Sequence, residues 1–272
     1  MEAPPLLDFK IVAESDDYAV IDKPPFLLIH PTKPDGTRTL WQELRRLFAF
    51  EIAAGGQVSI VNRLDRETSG LVLVAKKADV ARRFGLLMQR RQLKKEYLAI
   101  VWGWPEWQSK IVNAPLVRQG KHQPSKIWLK QMIHPDGARA LTEFRVERRF
   151  LRSAVLERSE PVLSQAEGGA LFESARKGEK FSLIRATPHT GRTHQIRVHL
   201  ASIGHPIVGD KIYGPNEQLY LRFIEAGWTC ELERELLLPR HALHSATLAI
   251  EDECEWTSPL PRDLTEFCSG GL

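Results

Sequence analysis

Apolar and polar positions change period several times along the chain, and each change marks an element. Tyr18-Ala19-Val20-Ile21-Asp22-Lys23 reads as a short buried strand. Pro24 and Pro25 stop it, because proline removes a ladder donor. Leu40, Leu44 and Leu47 recur at i, i+4 and i+7, which predicts a helix over Thr39 to Phe50. Gly55-Gly56 breaks that period, and Val58-Ser59-Ile60-Val61 predicts a strand leading into a loop at Asp65. The apolar run Leu71 to Ala75 comes next. A second helix then has Asp79 as its expected cap and Val80, Phe84, Leu87 and Met88 on one face.

Tyr97 to Trp102 predicts a further strand, and Thr142, Phe144 and Val146 alternate with polar residues on another. Phe181 to Ala186 alternates likewise and Pro188 closes it. Between those two, Ser153 to Lys180 has little periodicity and reads as an extended loop. From Pro188 onward the expectation is a helix capped by Thr190, with Ile196, Leu200 and Ile203 facing inward. No repeat and no regular βαβ alternation is present, so the fold class is α+β with a largely antiparallel sheet.

Composition adds little to that picture. The 272 residues, 43% hydrophobic and 26% charged, describe an ordinary soluble chain able to bury a full core. Net charge is +4, which permits an anionic partner without identifying one. Cys230, Cys254 and Cys268 are odd in number and form no CxxC pair, so free thiols in a reducing cytoplasm are expected. No signal peptide and no bilayer-length apolar run are recognisable, and a cytoplasmic protein without membrane contact is expected.

Charge is more informative where it clusters. Arg82, Arg83, Arg90 and Arg91, flanked by Lys76, Lys77, Lys94 and Lys95, form a stripe with few interleaved acids. A stripe of one sign suits a phosphate backbone, although such a run is usually a solvated helix face. In Val61-Asn62-Arg63-Leu64-Asp65-Arg66-Glu67-Thr68-Ser69-Gly70, one carboxylate lies between two arginines. Cationic neighbours keep a carboxylate ionised, as nucleophilic or base catalysis requires. On its own, an Arg-Asp-Arg run is more often a surface ion-pair cluster.

The second dense patch is Pro188-His189-Thr190-Gly191-Arg192-Thr193-His194-Gln195-Ile196-Arg197-Val198-His199. Basic side chains at a helix start bind phosphate well. Its three histidines are five residues apart, wrong for one helical face, and no acid or Cys completes a ligand set, so no metal is expected.

Taken together, Asn62 to Gly70, Lys95-Glu96-Tyr97, Thr190 to His199 and Gly209-Asp210-Lys211-Ile212-Tyr213-Gly214 resemble the RluA-type family of RNA pseudouridine synthases. Asp22-Lys23-Pro24-Pro25 and His241-Ala242-Leu243-His244 add to the match, which runs from about Ile11 to Leu264. The resemblance implies a pseudouridine synthase domain over 11–264, with an active-site cleft across the sheet and short tails at 1–10 and 265–272. It implies no cofactor, because breaking C1′–N1 of a uridine and rejoining the base through C5 changes no oxidation state. Asp65 is then the essential carboxylate, Tyr97 the active-site tyrosine and Arg197 the basic partner of Asp65. Arg63 is expected beside the flipped nucleotide. Arg66, Lys76, Lys77, Arg82, Arg83, Arg192 and His194 are the remaining expected RNA contacts. The implied partner is ribosomal or transfer RNA, met by a monomer. No segment ahead of Ile11 has room for a separate RNA-binding domain, so target choice is expected from the domain's own loops.

Two positions depart from the family pattern. Asn62 replaces a usual His, and its amide is expected to keep the loop in place by bonding nearby backbone. Phe26 replaces a usual Gly, with an altered turn away from the chemistry as the expectation. Two other functions compete: an RNA-binding or ribosome-assembly protein without catalysis on the same scaffold, and a carboxylate glycosidase. The glycosidase needs a second acid, for which Glu67 is the nearest candidate.

Overall fold

The first apolar stretch pairs with the segment before it as an antiparallel hairpin, β1 (Lys10–Glu14) and β2 (Tyr18–Lys23). The computed structural model describes residues 9–31, 36–152 and 179–270. Helices α1 (Leu40–Leu47) and α2 (Ala49–Ala53) and strand β3 (Ser59–Ile60) precede β4 (Ser69–Ala75). Next come α3 (Ala78–Gln89), β5 (Leu93–Trp102), β6 (Ser109–Asn113) and a separate hairpin, β7 (Leu116–Arg118) with β8 (Gln131–Ile133). Strands β9 (Leu141–Arg152) and β10 (Glu179–Pro188) lead to α4 (Gln195–Ser202), α5 (Gln218–Ala226) and α6 (Cys230–Leu236). Then follow β11 (Leu243–Ile250), β12 (Cys254–Thr257) and α7 (Arg262–Ser269).

The main sheet runs β1-β2-β4-β11-β5-β10-β9-β6, with β12 beside β11 and β3 beside β4. Its described pairings are antiparallel except β4 with β11, so the class is α+β as the periodicities predict. Side chains alternate across β4: Val72 and Val74 join the larger core with Leu40, Leu44, Tyr97 and Ile196, whereas Leu71, Leu73 and Ala75 join Val80 and Phe84 of α3 in a second core. Helix α3 therefore covers one face of the sheet, and Leu64, just before Asp65, packs on the other.

Thr39, the first residue of the expected helix, instead caps α1 through a capping box with Gln42. Two expected caps are corrected. Helix α3 starts at Ala78, so Asp79 is in its first turn and makes no side-chain cap bond. Helix α4 starts at Gln195, and Thr190 instead donates to Gln195 Oε1 and accepts from the Leu141 amide. The expected tail after Leu264 is also corrected, because Leu264, Phe267 and Cys268 recur at helical spacing and bury into the larger core. Of the expected loop 153–180, Glu179 and Lys180 already belong to β10, and the rest falls outside the described residues.

Candidate active site

Cross-strand register places four separate motifs in one line. Lys23 of β2 lies opposite Gly70 of β4, Gly70 opposite Ser245 of β11, and Ser245 opposite Tyr97 of β5. Opposed residues in a sheet point to the same face, so the four share one surface. Gly70 has φ +105°, and a Cβ there would stand 2.3 Å from the Ser245 carbonyl oxygen. Only glycine lets β4 and β11 approach this closely, and their parallel contact brings Tyr97 near the loop that ends at Gly70.

That loop is held from several sides. Asn62 donates to the Leu71 carbonyl and accepts from the Leu73 amide, at 3.0 and 2.8 Å. The buried Lys23 ammonium donates to the carbonyls of Pro24, Leu27 and Arg66. Burial, then the Arg240 charge, lowers the Lys23 pKa to about 7. Glu67 pairs with Lys211 at 2.8 Å and accepts from the His241 amide, and the fully buried Arg240 donates to the Glu67 carbonyl. A loop with its backbone carbonyls held by buried cations presents its side chains in a fixed geometry.

Asp65 is presented by this loop with its side chain 30% exposed. Arg197 Nη1 donates to Asp65 Oδ2 at 2.8 Å, while Nε and Nη2 grip Asp210 at 2.7 and 2.9 Å. Asp210 is fully buried and also accepts from the amides of Ile212 and Tyr213. A guanidinium that spends two donors on one carboxylate and a third on another is locked in plane. Asp65 Oδ1 has no hydrogen-bond partner among the described residues.

Burial raises the Asp65 pKa, but the positive charges of His194, Arg197 and His241 and the Arg197 hydrogen bond outweigh it and hold the group at about 2. His194 is itself lowered to about 4, by burial and then by Arg197, so at neutral pH it is uncharged and Arg197 provides the decisive neighbour. His194 Nε2 stands 3.9 Å from Asp65 Oδ2, and its Nδ1 bonds the Tyr213 hydroxyl at 2.8 Å. Tyr97 is buried, and burial chiefly pushes its phenol up to about 12, with the Asp65 charge adding to the shift. It stays protonated and can act as a donor.

The expected RNA contacts divide. Arg63 and Arg66 are exposed beside Asp65, and Arg66 Nε donates to the Phe26 carbonyl at 3.3 Å. Arg192 is exposed and donates to the Arg139 carbonyl. His194 joins the Asp65 cluster with a side chain only 7% exposed. Within the basic stripe, Lys76 is buried against Glu14, Lys77 pairs with Asp17, Arg83 with Glu253 and Lys94 with Glu251. Acids from other elements thus pair with half of its cations, and Arg82, exposed, shares α3 on the face opposite the core beneath Asp65. Phe26 is corrected, since its contact with Arg66 puts its turn against the Asp65 loop.

Asp210, Lys23, Lys211, Tyr213 and Arg240 carry the site although sequence reasoning assigned them no role. Asp210 had one visible signal, an acid within the Gly209 to Gly214 stretch that carries part of the family resemblance. Of the spaced histidines, His199 bonds Thr142 and the Ala114 carbonyl inside the core. One group of possible metal ligands, His122, His134 and Asp136, has its ligand atoms within 4.8 Å of one another, outside the Asp65 cluster.

Comparison with known proteins gives a concordant result. Residues 17–202 match the family model described as RNA pseudouridylate synthase. The chain is 32% identical over 268 residues to ribosomal large subunit pseudouridine synthase D of Nitrosomonas europaea, spanning 97% of this chain and 64% of that protein. It is 31% identical to the protein of that name from Vibrio cholerae, spanning 96% and 70%. Human RNA Pseudouridylate Synthase Domain Containing 4 has the same fold, with TM-score 0.64, 22% identity and coverage of 94% and 90%. The chain thus spans about two thirds of the length of those bacterial relatives.

Proposed function

This chain belongs to the RNA pseudouridylate synthase family, and we propose that it isomerises uridine to pseudouridine in ribosomal RNA with Asp65 as the essential carboxylate. The carrying observation is the Arg197 guanidinium shared between Asp65 and buried Asp210. It keeps an ionised, partly exposed carboxylate oriented through Oδ2.

A uridine inside a helix must be extruded to reach Asp65, at a cost of about a few kcal/mol. Arg63 stands beside the path as the residue that fills the vacated space or holds a phosphate, and Arg66 and Arg192 add contacts to the backbone. The glycosidic bond of the flipped uridine breaks, the detached uracil turns, and C5 joins C1′. C5 then loses its proton and N1, no longer bound to the sugar, gains one, so the isomerisation balances. Tyr97 supplies a ring for the uracil to stack on and a hydroxyl that can relay these protons, giving one as it takes the other. Asp65, Tyr97 and Arg197 come from one chain, so a monomer suffices. Among the described residues no helix is long and apolar enough to cross a membrane.

The names of the bacterial relatives favour ribosomal over transfer RNA. Carbodiimide-dependent primer-extension stops, mapped on both RNAs from cells with the gene, without it and with Asp65→Asn, test this. A ribosomal site that needs Asp65 is expected. Stops only in transfer RNA would move the substrate, and RNA binding without any Asp65-dependent site would favour the non-catalytic reading.

A further inference from the structure

The turn after β2 places Phe26 in a conformation that its residue type resists. Pro24 to Leu27 reverse the chain, and Phe26, third in the turn, has φ +69°. That position normally takes glycine, because a Cβ is crowded at positive φ. The ring gains nothing inside the molecule to offset the strain. It is 46% exposed, joins none of the apolar clusters and has no aromatic or cationic ring partner among the described residues.

Its surroundings are specific. The Lys23 ammonium ties the turn to the Asp65 loop by bonding Pro24, Leu27 and Arg66 together, and Arg66 closes the contact from the other side through the Phe26 carbonyl. Arg66, exposed and bonded to it, and Arg63, exposed three residues earlier in the same loop, have no acidic partner among the described residues, whereas Lys77 and Arg83 at α3 are paired with acids. An exposed aromatic ring beside an arginine without an acidic partner is the chemistry that holds single-stranded nucleic acid: stacking on the ring, phosphate on the cation.

We propose that Phe26 is a stacking platform for an unpaired base of the RNA, next to the uridine delivered to Asp65. This rests on the functional reading above. Because the turn is anchored to the loop, a base held on Phe26 fixes the strand relative to Asp65, and strain in the turn is retained for that contact.

Phe26→Gly removes the ring and relieves the turn, so it separates the two roles. With unmodified large-subunit ribosomal RNA transcribed in vitro, we expect a higher Tm than the parent protein, a KM raised about tenfold, within the effect of losing one stacked base, and turnover at saturating RNA retained. Phe26→Asn, whose side chain tolerates positive φ, should repeat the KM change, and Phe26→Tyr should keep the parent KM. Parent-like KM in both ring-free variants overturns the proposal, as does failure of both to fold, which would make the ring part of the core. If the parent protein forms no pseudouridine in the transcript, the functional reading fails. If it does and the ring-free variants match it, only the stacking role fails.

Discussion

Asp65 and Arg197, 132 positions apart in the chain, meet at 2.8 Å, and the guanidinium that reaches Asp65 is gripped from behind by Asp210. The positioning of the carboxylate therefore depends on a residue that does not face the substrate side of the pair.

Replacing Asp65 by Asn should separate chemistry from folding. Arg197 keeps its two bonds to Asp210, so no buried charge is orphaned. Pseudouridine formation should fall by at least about 10³-fold, while the thermal midpoint moves by only a few degrees. Mapping of the modified RNA and a melt of the purified variant check both halves.

Asp210→Asn should behave in the opposite order. It removes the buried partner of Arg197 and leaves a cation in the core, at a cost of about 3–5 kcal/mol. Urea unfolding should show that loss, and turnover should drop because Arg197 no longer has a fixed plane. A stability equal to that of Asp65→Asn would contradict the shared-guanidinium account.

Tyr97→Phe keeps the ring and removes a hydroxyl that burial holds at about 12. RNA affinity should change little, whereas turnover should fall by about 10²- to 10⁴-fold, the usual worth of a positioned proton-transfer group. Single-turnover kinetics at saturating RNA distinguish the two.

Acid should loosen the loop through Glu67. Burial raises its pKa, but its bond to and charge from His241, then Lys211, hold it at about 2 against 4.5 for the free group. A depressed folded-state carboxyl contributes stability that is complete above 4.5 and lost as pH falls towards 2, on the order of 3 kcal/mol for an interaction of this size. Unfolding free energy measured from pH 6 to pH 2 should decline over that window, and the decline should be shallower in Glu67→Gln.

Periodicity made the local structure legible. The alternation at Thr142, Phe144 and Val146, the apolar spacing of α1 with its Thr39 cap, and the Asp65 loop between a strand and an apolar run all follow from residues close in sequence. The failures came where a partner lies far away. The basic stripe looked one-signed because Asp17, Glu253 and Glu251, the acids that neutralise Lys77, Arg83 and Lys94, stand 60, 170 and 157 positions off. Asp210 likewise takes its role from Arg197, 13 positions away in the chain and against it only in the fold.

Sequence alone determined which residues have the right chemistry: an acid among cations, a tyrosine on a strand, and a basic helix start. Only the tertiary structure decided that they meet. Lys23, Gly70, Ser245 and Tyr97 share a row because register is set by how closely strands approach. At the β4–β11 contact that approach is possible only where Gly70 has no side chain.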